Sequence, residues 1–147
     1  MVEVSLRIDA PAEQVFSVLA DGWSYAGWVV GAAHIREVDG DWPGLGSRIH
    51  HSVGLWPMQV EDVTKVRAVE PGRMLELEAR MWPVGAAHIR FDLVEAGGAT
   101  TVRMREEVEK GPLSLVPEPV QALLLAPRNR ETLNRLSHLA ERRQAER

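Results

Sequence analysis

Apolar and polar residues alternate strictly at the start of the chain. Val2, Val4, Leu6 and Ile8 fall on one side, and Glu3, Ser5, Arg7 and Asp9 on the other. A period of two marks a half-buried strand. The pattern then changes to helical spacing. Val15, Phe16 and Leu19 share one face, Pro11 suits the first helical position, and Glu13 complements the dipole of the first turn. Asp21-Gly22 ends this helix. Trp23, Tyr25 and Trp28 follow in a glycine-broken segment that predicts a second short helix or a turn.

Six further strands are predicted near Ala32–Val38, Ser47–Val53, Met58–Val69, Arg73–Trp82, Ala86–Val94 and Thr100–Glu109. Short turn-forming segments separate them, such as Asp39-Gly40-Asp41, Glu70-Pro71-Gly72 and Glu95-Ala96-Gly97-Gly98. Short connections favour antiparallel pairing of neighbours. After Gly111-Pro112, the residues Pro117, Glu118 and Pro119 suit a helix start. Val120, Leu123 and Leu124, then Leu133, Leu136, Leu139 and Ala140, form the expected apolar face of one long helix, kinked rather than broken at Pro127. The expected class is therefore α+β: a curved seven-stranded antiparallel sheet around a long C-terminal helix, with one or two short helices after the first strand. One helix covers one face of a sheet, so the sheet curls around it and tends to enclose a cavity.

Alternation assigns the strand faces. Met58, Val60, Thr64 and Val66 mark the inner face, as do Leu75, Leu77, Ala79 and Met81. Ala87, Ile89, Phe91 and Leu93, then Val102, Met104 and Val108, continue it. This register leaves His51, Asp62 and Glu106 on the inner side. A buried carboxylate is costly unless paired or wet, so such residues suit a polar pocket with tuned acid–base chemistry. The plainer alternatives are a β-bulge that turns Asp62 outward, a strand end that lets Glu106 reach solvent, and a core histidine bonded to backbone at position 51. Asn129, four residues before Leu133, is expected to project inward too.

Five tryptophans against two phenylalanines and one tyrosine is an unusual balance. Trp28, Trp56 and Trp82 are the candidates for a flat apolar wall at a cavity rim. Val30 to Arg36 recurs as Val84 to Arg90, each copy preceded by a tryptophan, a match too short for a repeat architecture. It reads more simply as two similar strand starts than as two rim segments.

Composition narrows the chemistry. The chain of 147 residues, 45% hydrophobic and 26% charged, suits one domain spanning 1–147 with a real core. A net charge of -4 offers no basic footprint for nucleic acid. Without cysteine there is no disulfide, thiolate nucleophile or Cys-based zinc site. His50-His51 point to opposite faces of a strand and do not share a metal. No metal and no cofactor is expected. No signal-peptide pattern and no apolar stretch of about 20 residues is present, so stable membrane insertion is not expected and a cytoplasmic location is.

Several short motifs occur in an order that resembles a known family. They are Ala10 to Phe16, Tyr25 to Trp28, Trp42 to Ser47, Val69-Glu70-Pro71-Gly72, Gly98 to Val102, and Arg128 to Leu133. The chain is similar to the START-like, or SRPBCC, superfamily, and more narrowly to its polyketide cyclase/dehydrase and lipid-transport branch. The resemblance implies the helix-grip fold and a cavity for small hydrophobic ligands such as lipids, polyketides or isoprenoids. It transfers no catalytic motif residue by residue.

The leading expectation is a small-molecule binder. Trp28, Trp56, Met58, Val60, Leu77, Met81, Trp82, Phe91, Met104 and Leu133 would wall the cavity, and His51, Asp62, Glu106 and Asn129 would orient the ligand. The second is a cyclase or dehydratase with Asp62 or Glu106 as general base and His51 as proton donor. The third is an interaction module or homodimer using an exposed sheet edge or the tryptophan loops.

Overall fold

The computed structural model describes residues 1–29, 34–53, 60–81 and 85–145. Seven strands form one sheet: β1 (Val2–Ile8), β2 (His34–Val38), β3 (Arg48–Val53), β4 (Val60–Glu70), β5 (Met74–Met81), β6 (Gly85–Ala96) and β7 (Ala99–Lys110). Every pairing is antiparallel, in the order β1-β7-β6-β5-β4-β3-β2. The helices are α1 (Ala12–Leu19), α2 (Tyr25–Trp28) and α3 (Glu118–Ala145).

The register follows from the alternation. Val4 pairs with Met104 and Leu6 with Val102, so the apolar sides of β1 and β7 share one face. Val66, Leu75, Leu77, Phe91, Leu93 and Val102 continue that face and are buried. Pro11 caps α1 rather than occupying its first turn, and Val15, Phe16 and Leu19 are buried as the spacing predicts. Gly85, at the start of β6, has φ +126°, and a Cβ there would lie 1.7 Å from the Lys110 carbonyl oxygen. The two copies of the short internal match run into the first residues of β2 and β6.

α3 is one helix with Pro127 inside it. Proline brings no N–H for the Leu123 carbonyl. The phase of its buried stripe is set by Leu133, Leu136 and Ala140. Run backward at 3.6 residues per turn, that stripe reaches Asn129, Leu125 and Gln121, all buried. Val120, Leu123 and Leu124 therefore face outward, and Leu123 is 77% exposed. This corrects the apolar face expected for the first half of the helix. Gln121 faces inward because its Nε2 donates to the carbonyls of Leu113 and Val116, tying the preceding 3-10 turn to the helix.

α3 packs on β1, α1, α2 and β7. Arg143 fastens its far end, donating to the Ser17 carbonyl at 3.0 Å and to Asp21 at 2.6 Å. The opposite, convex face carries charged ladders. Arg90 bonds Asp92 and Glu76, Arg105 bonds Asp92, and Arg67 bonds Glu78 and Glu109.

Candidate functional site

Cross-strand neighbours share a face, and this brings the polar residues of the concave side together. His51 on β3 lies opposite Asp62 on β4, and Ile49 lies opposite Thr64. No register shift separates Val60 from Val63 in this pairing, so Asp62 stays on the inner side. Both His51 and Asp62 are buried. His51 Nε2 sits 3.0 Å from Thr64 Oγ1, and the Tyr25 hydroxyl sits 3.3 Å from the same oxygen. The Asp62 carboxylate accepts the Val63 amide at 2.9 Å.

An aromatic column stands against this chain. The rings of Tyr25 and His51 are stacked with centroids 6.0 Å apart. Trp28 meets Tyr25 edge-on at 5.3 Å and Phe91 edge-on at 5.7 Å. Trp28 is thus a buried member of the core, only 1% exposed, rather than a rim residue. Its Nε1 has no hydrogen-bond partner among the described residues, and neither does Nδ1 of His51.

The second polar group lies where β7 meets α3. Glu106 is 1% exposed. Arg128 Nη2 donates to its two carboxylate oxygens at 2.7 and 2.9 Å, and Asn129 Nδ2 donates to Oε1 at 2.8 Å. Three bonds to one buried carboxylate compensate its desolvation, and the Arg128 side chain is itself only partly exposed. Beside Glu106 is a small apolar recess of about 10 Å³ between Ala87, Val108, Leu113 and Leu125, room for about one water.

Tyr25 links the two groups electrostatically. Burial pushes its hydroxyl pKa up; the Thr64 bond opposes this, Glu106 adds to it, and Arg128 opposes it. Burial likewise pulls His51 below the usual imidazole value, against the attraction of Asp62 and helped by the charges of Arg36 and His50. The imidazole is therefore neutral at pH 7. Among the described residues no group of three His, Asp or Glu side chains could hold a metal.

His51, Asp62, Glu106 and Asn129 are on the concave side and buried. Leu77, Phe91, Met104 and Leu133 are buried apolar core. Trp56, Met58 and Trp82 lie outside the described residues, as do the side chains of Val60 and Met81. Sequence reasoning assigned no role to Tyr25 or Arg128 and counted Thr64 only among the apolar row. The signals were weak but present: Tyr25 is the one tyrosine, Thr64 is a hydroxyl in an apolar row, and Arg128 adjoins Asn129. Larger grooves exist on the convex face, one of about 260 Å³ between Arg48, Val63, Lys65, Glu78 and Arg80. They are open to solvent and away from the buried polar residues.

Residues 1–141 match the family model described as polyketide cyclase / dehydrase and lipid transport. The chain belongs to this family. Solved structures share its fold. A START superfamily protein from Mycobacterium smegmatis superposes with a TM-score of 0.75 at 19% identity, covering 96% of this chain and 97% of its own. The Zhui aromatase/cyclase from a Streptomyces species gives 0.68 at 18% identity, covering 97% and 93%. Ara h 8.0201 gives 0.71 at 11% identity, covering 94% and 95%. At these identities the likeness establishes the helix-grip fold and nothing finer. No curated protein matches the chain. Among the described residues of this family member, no helix is long and apolar enough to cross a membrane.

Proposed function

We propose that this member of the family binds a small hydrophobic molecule between the concave face of the sheet and α3. The observation that carries the reading is the buried polar set of His51, Asp62, Thr64 and Glu106 on an otherwise apolar face. Folding alone favours apolar residues there, since each polar group adds a desolvation cost. A ligand with an apolar body and one polar end accounts for both halves of the arrangement. Leu77, Phe91, Met104 and Leu133 supply wall, and the His51–Thr64 and Glu106–Arg128 groups supply orientation. A cytoplasmic location belongs to the same reading.

Native mass spectrometry of protein purified from its own host tests this. The expected result is a co-purifying apolar species released by organic solvent. Protein that carries none, and whose melting temperature is unmoved by a panel of apolar probes, would sink the reading.

One observation favours catalysis as a second reading. The neutral imidazole of His51 faces the carboxylate of Asp62 across a strand pair. Asp62, paired with His51 across the two strands, is then the candidate general base, with His51 moving the proton. Asp62→Asn would then abolish turnover of a poly-β-ketone substrate while leaving its binding within about threefold.

A further inference from the structure

The hydroxyl chain through Thr64 has a direction. Three side chains meet at one oxygen: Tyr25 OH at 3.3 Å, His51 Nε2 at 3.0 Å, and Thr64 itself. Tyr25 has no other hydrogen-bond partner among the described residues. If Tyr25 donates to Thr64 and Thr64 donates to Nε2, every proton in the chain has an acceptor, and His51 carries its own proton on Nδ1. One buried group, Nδ1–H, is then left over. If the chain runs the other way, two are left over: the Tyr25 hydroxyl proton and a bare Nδ1. Letting both Tyr25 and His51 donate to Thr64 also leaves two, the Thr64 proton and a bare Nδ1. Unsatisfied buried groups are the costly ones, so the first arrangement prevails.

Both carboxylates nearby already have partners. Glu106 takes three bonds from Arg128 and Asn129, and Asp62 takes the Val63 amide. Two buried groups beside Tyr25 are left without a partner, and both are donors in this tautomer: Nδ1 of His51, 4% exposed, and Nε1 of Trp28, 1% exposed. Both rings pack on Tyr25.

We propose that Tyr25 and Thr64 lock His51 as its Nδ1–H tautomer, so that the interior offers two buried donors and favours ligands that carry an accepting oxygen, such as a ketone, ester or ether oxygen on an apolar body. Thr64 is the positioning residue; His51 and Trp28 make the contact. The ligand-selecting half rests on the binding reading above, whereas the tautomer stands without any ligand. Burial of the imidazole supports the lock by keeping His51 neutral.

Two measurements test it. Nitrogen NMR of labelled protein reads the tautomer directly: Nδ1–H is expected in the native chain, with Nε2–H gaining in Thr64→Val. A native chain found as Nε2–H overturns the lock. Tryptophan-fluorescence titration with fluorenone and with fluorene, which differ by one carbonyl oxygen, reads the selection. Fluorenone should bind about tenfold tighter. His51→Phe should bring the ratio near one, and Thr64→Val should reduce it without removing the binding of fluorene. Equal affinities overturn the acceptor preference and leave the cavity reading intact. Binding of neither probe removes the cavity reading and the ligand preference together, while the tautomer result still stands by itself.

Discussion

The two faces of the sheet treat charge in opposite ways. On the convex face, charges are plentiful and shared: Arg90 reaches two carboxylates, Asp92 takes two arginines, and Arg67 bridges two glutamates. On the concave face, polar groups are few and each has a particular partner. Glu106 depends on Arg128 and Asn129, and His51 and Tyr25 meet at Thr64. Solvent makes the first arrangement redundant. Burial makes the second indispensable, because no water replaces a lost partner.

Breaking the buried ion pair should show the contrast most strongly. Arg128→Met strips Glu106 of its cation and should cost about 3 kcal/mol in denaturant unfolding. Glu106→Leu in the same background should recover most of that loss. A single Arg128 variant as stable as the parent would contradict this dependence. Next comes Thr64→Val, nearly isosteric, which leaves the Tyr25 hydroxyl without an acceptor in the interior. Its expected cost is about 2 kcal/mol, read from the same unfolding curves.

Acid sharpens the comparison on a smaller scale. Burial depresses the His51 pKa, so the unfolded chain takes up this proton at about 6.5 while the folded chain does so only at lower pH. Stability from this group is fully present above the unfolded value. It is lost as pH falls from there toward the folded value, with a slope of at most about 1.4 kcal/mol per pH unit. Subtracting the profile of His51→Phe from that of the parent should isolate this slope. The smallest effect belongs to the convex face. Arg67→Ala, removing a side chain 35% exposed, should shift stability by less than about 1 kcal/mol and weaken further in high salt.

Much of the fold was legible because strands have a period of two. Once Val66, Leu77 and Phe91 mark the inner face, Asp62 and Glu106 are inside with no further information. Helical phase was less secure. Leucines at 123 and 124 suggested an inner face, but the stripe through Leu133 and Ala140 placed Gln121 and Leu125 there instead. Composition cannot show that Gln121 finds two carbonyls in the preceding turn. The site was legible only in part for the same reason. His51 shows its face in its strand, but its partners Thr64 and Tyr25 come from β4 and α2, and Arg128 from α3. Those meetings are tertiary, and no local spacing encodes them.

The strand order also shapes how the chain assembles. From β2 to β7 each strand pairs with its neighbour in sequence, so this part can zip together hairpin by hairpin as it leaves the ribosome. β1 is different. Val2 pairs with Glu106, so β1 has no place in the sheet until β7 is there. Closing so long a loop is slow, and contacts far apart in sequence come late. Glu106 belongs to that late strand, and Arg128 is synthesised later still. The buried carboxylate finds its cation only when α3 docks on the sheet, so closure of the polar interior is tied to that docking.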